Sequence, residues 1–184
     1  MDSYYSEQEL QGLGLKYCGK DVRLSRNAKI YASSRIVIGD HSRIDDFCVL
    51  SGSITIGQYV HIAVYSALFG GAAGIFLEDC STVSSRCCIY AANDDYSGLA
   101  LSSGAPDSYR KIEQAPVRLR ECSILGSGCV VLPGVTLEEG AAVGAISLVN
   151  RSLDAWWIYG GTPCKRIKPR RRDMRLLARS LLEG

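Results

Sequence analysis

The chain has 184 residues, 47% hydrophobic and 22% charged, with a net charge of +2. That is one domain's length, too apolar for disorder and too evenly charged for a nucleic-acid surface. No apolar run approaches a membrane span, and the start has neither the basic stretch nor the apolar core of a secretion signal, so a cytoplasmic protein is expected.

In chain order, residues 1–21 read as an N-terminal cap. Ser6-Glu7-Gln8-Glu9 has the spacing of a capping box and predicts a short helix, with Leu10, Leu13 and Leu15 behind it to cover an open end of core. From Val22 a different ruler applies. An aliphatic residue recurs every sixth position, most plainly at Leu119, Leu125, Val131, Leu137, Val143 and Val149. The same step runs through Leu24 and Ile30, then Ile38 to Leu68, then Leu77, Val83 and Ile89. All seventeen anchors are Leu, Ile or Val, although those types make up only 45 of 184 residues. Neither a helix (period 3.6) nor a strand (period 2) gives six, but a solenoid of short flat sides does. Three such sides close a triangular coil of eighteen residues, predicted over 22–153. The register slips by two residues after Ile30, three after Leu68 and twenty-four after Ile89, as insertions at solvent-facing corners would allow.

The longest insertion, about residues 91–116, is polar and holds Asn93, Asp94, Asp95, Tyr96, Tyr109 and Arg110. A long loop in a regular solenoid is commonly functional. Residues 154–184 leave the repeat. Trp156 to Tyr159 are apolar, Gly160 to Pro163 turn the chain, a basic run starts at Lys165, and Met174 to Leu181 have the spacing of an amphipathic helix. None of the eight cysteines forms a C-x-x-C pair. Cys48, Cys87 and Cys129 share the fifth hexad position with Ser66 and Ser147, a slot for small inward residues, so they read as reduced packing cysteines.

The hexads, the coil GSGCVVLPGVTLEEGAAVGAISLV and the ending YGGTPCKRIK resemble the hexapeptide-repeat acyltransferases, closest to the sugar O- and N-acetyltransferases of the galactoside, maltose and surface-polysaccharide type. The resemblance covers about Val22 to Lys168. It implies an all-β left-handed parallel β-helix, assembled as a homotrimer with active sites between subunits. It implies acetyl-CoA as co-substrate and no metal. Gly126 and Ser127 match the corner whose backbone N–H stabilises the thioester oxyanion. Gly144 and Ala145 match pantetheine contacts, and Thr162, Lys165, Arg166 and Lys168 match the ending that meets the nucleotide end of CoA. Such roles suit a preorganised backbone donor and cations facing phosphates.

The general base is where the resemblance fails. The galactoside branch has a His after an Ile-Tyr pair, and here Ile89-Tyr90 is followed by Asp94 instead. Of the two histidines, His61 shares a column with Thr82 and Ile124 near the Gly126–Ser127 corner, and His41 reads as a surface corner residue. His61 is the first candidate base, Asp94 or Asp95 the second, and an amino-sugar acceptor could need no strong base at all. Asp46, Tyr65 and Tyr96 offer sugar contacts, and Arg86 and Arg110 could hold the phosphates of a nucleotide-linked sugar. The expected function is acyl transfer to a sugar or nucleotide sugar, in surface-polysaccharide synthesis. The alternatives are a xenobiotic acetyltransferase, a partner-binding scaffold, and a trimeric zinc hydratase, which two histidines do not support.

Overall fold

The computed structural model describes residues 3–183. The chain winds into a left-handed parallel β-helix of about seven turns. Each anchor lies on the anchor one coil away. The first face stacks Leu24, Ile44, Ile62, Val83, Leu125, Val143 and Tyr159. The second stacks Ile30, Leu50, Leu68, Ile89, Val131 and Val149. The third stacks Cys18, Ile38, Ile56, Leu77, Leu119 and Leu137, and a bridge joins Leu137 to Leu153. Strands of two or three residues suffice because each side is short. An anchor and the residue two before it point inward, and the one between points out.

Sixteen of the seventeen anchors are at most 3% exposed, and Ile30 is half-buried against the same core. Cys48, Ser66, Cys87 and Cys129 are 0% exposed and form the expected inward column with Ser147. Their role is to meet edge carbonyls: the Cys48 thiol donates to Ala63 O and the Cys129 thiol to Gly144 O, each at 3.2 Å. All eight cysteines are free. Replacing Ile89 with Ala between Leu68 and Val131 should cost about 2–5 kcal/mol, because stacked rungs cannot close the gap; a denaturant melt reads it directly.

All three insertions fall at one place, the edge between the second and third faces. There the chain passes from Ile30 to Ile38, from Leu68 to Leu77 and from Ile89 to Leu119. Strands Val49–Ile56 and Ala67–Leu77 run through this edge, so the two faces form one hydrogen-bonded sheet. The long insertion is an arm, not a plain loop. Ala92–Asp94 pairs antiparallel with Ile112–Gln114, and Gln114 Oε1 accepts from Ala72 N–H at 3.2 Å to hold the arm's base on the Ala67–Leu77 strand.

The ends are closed as the sequence predicts. Helix α1 (Glu7–Gly12) starts with Ser6 and Glu9 in a reciprocal capping box, and Leu10 is 4% exposed over the first coil. The first rung, Tyr17–Cys18, is already laid before Val22. At the other end, strand Lys165–Pro169 returns antiparallel along Trp157–Gly160. Arg170 then crosses an edge to donate to Cys122 O (2.9 Å) and Gly140 O (3.0 Å), and helix α2 (Asp173–Glu183) is held by Arg175 on Glu139 at 3.0 Å.

Candidate active site

Half of the candidate residues fall on one line, the edge between the first and second faces. Each coil turns there through a left-handed residue. Phe47, Tyr65, Arg86, Gly128 and Ile146 occupy that position on successive rungs. Asp46, Ser84, Gly126, Ser127, Gly144 and Ala145 lie beside them, and Thr162 joins at the top, its hydroxyl donating to Ile146 O at 3.4 Å.

Two features set the upper part of this edge apart. The Ser127 and Ala145 N–H groups have no partner among the described residues. Both residues are exposed, so the donors are preorganised and open to a ligand. Gly126 is required by the close approach of the next rung. A Cβ there would stand 2.6 Å from Ala145 N and 2.8 Å from Val143 O. With Gly128 also lacking a side chain, the edge is notched between Arg86 below and Ile146 above.

The basic ending flanks the notch. Lys165 and Lys168 are exposed on the returning strand. Arg166 is engaged within the chain, its guanidinium 4.2 Å from the Trp157 ring centre and paired with Asp154.

His61 lies in the outward row of the first face, between Arg43 and Thr82 on the adjacent rungs, with Ile124 beyond Thr82. Its Nε2 is 2.9 Å from Asp45 Oδ2, and Arg43 Nε donates to Asp45 Oδ1 at 2.6 Å. Asp45 is 7% exposed. Burial works against its charge, but the bonds from His61 and Arg43 prevail and hold its carboxyl below the usual range. Its stabilising contribution is therefore present above the unfolded value of 3.8 and lost as pH falls through the lower folded value. Asp45→Asn should melt earlier than the unaltered protein at pH 7, and the gap should close only in acid below pH 3.8; melts across pH measure this. Two rungs separate His61 from Ile124, about 10 Å along the axis, beyond the reach of a proton transfer at the notch. His41 is the corner residue expected, stacked on Tyr59 at 4.7 Å.

The remaining candidates sit on the arm, at the edge opposite the first face. Asp94 accepts from Ser103 N–H at 3.1 Å and is 3.8 Å from Arg110. Arg110 also pairs with Asp107 at 3.0 Å, and its Nε is buried without a partner among the described residues. Asp95 does structural work. It accepts from the Ser97 hydroxyl and N–H and from Leu99 N–H, and the Ser97 hydroxyl foremost holds its carboxyl low. Tyr96 is 83% exposed at the tip. One protomer thus carries the notch and the arm on different edges, separated by the second face. Sequence reasoning passed over Phe47, Ser84 and the Asp45 partnership; hexad phase gives their edge but carries no signal for their side-chain contacts.

No family model matches the chain, but individual proteins do. An N-acyltransferase from Bacillus cereus, AntD, solved with dTDP and 3-hydroxybutyryl-CoA, superposes with a TM-score of 0.96 at 45% identity, over 100% of this chain and 98% of that one. Its D94N variant was solved with dTDP and coenzyme A, and its S84A variant with dTDP-4-amino-4,6-dideoxyglucose and coenzyme A; this chain also has an aspartate at 94 and a serine at 84. The dTDP-4-amino-4,6-dideoxy-D-glucose acyltransferase of Escherichia coli is 39% identical over 176 residues, 94% of this chain and 91% of its own length. WbbJ of Escherichia coli K12, described as a lipopolysaccharide biosynthesis O-acetyl transferase, is 28% identical over 68% of this chain and 62% of its own. With free backbone donors at a glycine notch on a left-handed coil, and relatives of this closeness, the chain belongs to the hexapeptide-repeat sugar acyltransferases and uses an acyl-CoA donor.

Proposed function

We propose that the enzyme acylates the amino group of a dTDP-linked 4-amino-4,6-dideoxyhexose, at sites formed between protomers of a homotrimer. The single observation that carries this is the split of the site. The notch and the Asp94 arm flank the second face, whose outward row above the exposed Lys29 of the first rung is Val49, Ala67, Cys88, Val130 and Leu148, all half-buried and apolar. Three prisms with this face turned to a common axis bury that row. The same rotation brings each notch against a neighbour's arm.

The chemistry follows from those parts. The acyl thioester oxygen takes the free N–H groups at the notch, and the CoA phosphates take Lys165 and Lys168. The neutral sugar amine attacks the thioester carbon, and the C–S bond breaks as the amide forms. Asp94 from the neighbour's arm accepts the proton lost by nitrogen, and the CoA thiolate takes it up in turn. A carboxylate suffices because an amine, unlike an alcohol, is already a nucleophile. Ser84 lies one rung below the notch on the same edge. The free cysteines suit the cytoplasm, where CoA and nucleotide sugars are available, and the product would serve polysaccharide assembly.

Incubation with acetyl-CoA and dTDP-4-amino-4,6-dideoxyglucose should give a product heavier by one acetyl group and stable to hydroxylamine, which cleaves esters but not amides. A hydroxylamine-labile product would replace amide by ester transfer. No product with this acceptor would remove the amino-sugar assignment.

A further inference from the structure

Below the notch, the same edge presents three kinds of surface in order. Phe47 and Tyr65, on adjacent rungs, stack with ring centres 5.0 Å apart and planes 16° from parallel. They are 50% and 55% exposed. One rung above stands Arg86, exposed and in no ion pair among the described residues. One rung further is the gap at Gly126 and Gly128. Both aromatic residues hold left-handed backbone, φ +59° and +63°, a conformation uncommon for bulky side chains. Two stacked, half-exposed rings beside an unpaired guanidinium form a surface that core packing does not require.

Resting on the function proposed above, we infer that the Phe47–Tyr65 stack is the platform for the nucleotide base and that Arg86 holds the diphosphate, so that the acceptor lies along the edge with its sugar at the notch. A nucleoside diphosphate sugar presents base, phosphates and hexose in that sequence, and the rungs offer aromatic rings, a cation and an opening in that sequence. Tyr65 is two rungs and Phe47 three rungs below the gap, about 10 and 14 Å. CoA enters from the other end, past Thr162 and Lys165, so the two substrates approach head to head and meet only at Gly126–Gly128. The second Phe–Tyr pair, Phe69 on Tyr90 at 5.2 Å, is half-buried at the base of the arm, across the second face from Arg86 and the notch.

Calorimetry with thymidine, dTDP and CoA separates the parts. Phe47→Leu and Tyr65→Leu should each weaken thymidine and dTDP alike, by roughly tenfold or more, as loss of base stacking does. Arg86→Gln should leave thymidine binding in place and erase the advantage of dTDP over it. CoA affinity should hold in all three, which also shows that the variants are folded. As a second measurement, Tyr65→Trp should have its emission quenched by thymidine and not by CoA. Full dTDP affinity in Phe47→Leu and Tyr65→Leu, or an unquenched Tyr65→Trp under saturating dTDP, overturns the platform while the amino-sugar function stands. If the unaltered enzyme binds CoA but neither dTDP nor thymidine, the nucleotide-sugar function itself fails and takes the platform with it.

Discussion

Asp94→Asn lowers kcat for the amino-sugar acceptor by about 10²- to 10⁴-fold, the range that loss of a positioned proton acceptor produces. CoA and dTDP affinities stay close to those of the unaltered enzyme. The physical reason is placement. Asp94 is on the arm, held by the Ser103 N–H and facing Arg110, whereas the notch and the Phe47–Tyr65–Arg86 series are on another edge. An amide in its place keeps shape and can still accept from Ser103 N–H, and it loses the capacity to take a proton together with the charge that faces Arg110. His61→Ala gives the contrast. His61 bonds Asp45 two rungs away from the notch, so its loss lowers stability more than turnover. Steady-state rates at saturating substrates decide between the two. A small change for Asp94→Asn together with a large one for His61→Ala would return the role of base to the histidine.

Mixed trimers provide the second large effect. Gly126→Ala places a methyl 2.6 Å from Ala145 N, so the backbone must shift and the oxyanion donors with it, costing about 10²–10³ in rate. Asp94→Asn spoils the arm and leaves the notch intact. Neither uniform trimer is active. When the two chains are co-expressed with different affinity tags and the mixed species isolated, every mixed ring contains one notch and one arm that are both unaltered. About one third of the unaltered activity returns, since a closed three-fold ring has three such junctions. Activity that stays at the level of the separate variants would mean that notch and arm act within one protomer, or that the assembly is not three-fold.

Hexad phase gave the core nearly residue by residue. An inward column is a local requirement: each coil must place an aliphatic group over the one below, so every anchor carries the signal by itself. The Cys–Ser column, the α1 capping box and the positions of the three slips were legible for the same reason. The corner at Gly126 came from the family resemblance, and the structure adds the reason for glycine, since the rung above approaches too closely for a side chain. The arm's hairpin was not legible, since its Ala92–Asp94 and Ile112–Gln114 strands are only three residues each and are held by one another and by Ala72 rather than by periodicity.

What the sequence by itself determined is therefore the coil, its register and the existence of a polar insertion, because those follow from contacts repeated every eighteen residues. Only the tertiary structure decided that the long insertion folds as a hairpin arm on one edge and that the free backbone donors line another. It alone paired His61 with Asp45 and set Phe47 on Tyr65 beneath Arg86. Such placements depend on which side chains meet across rungs, so they are settled by the packing of the wound chain and not by any one repeat.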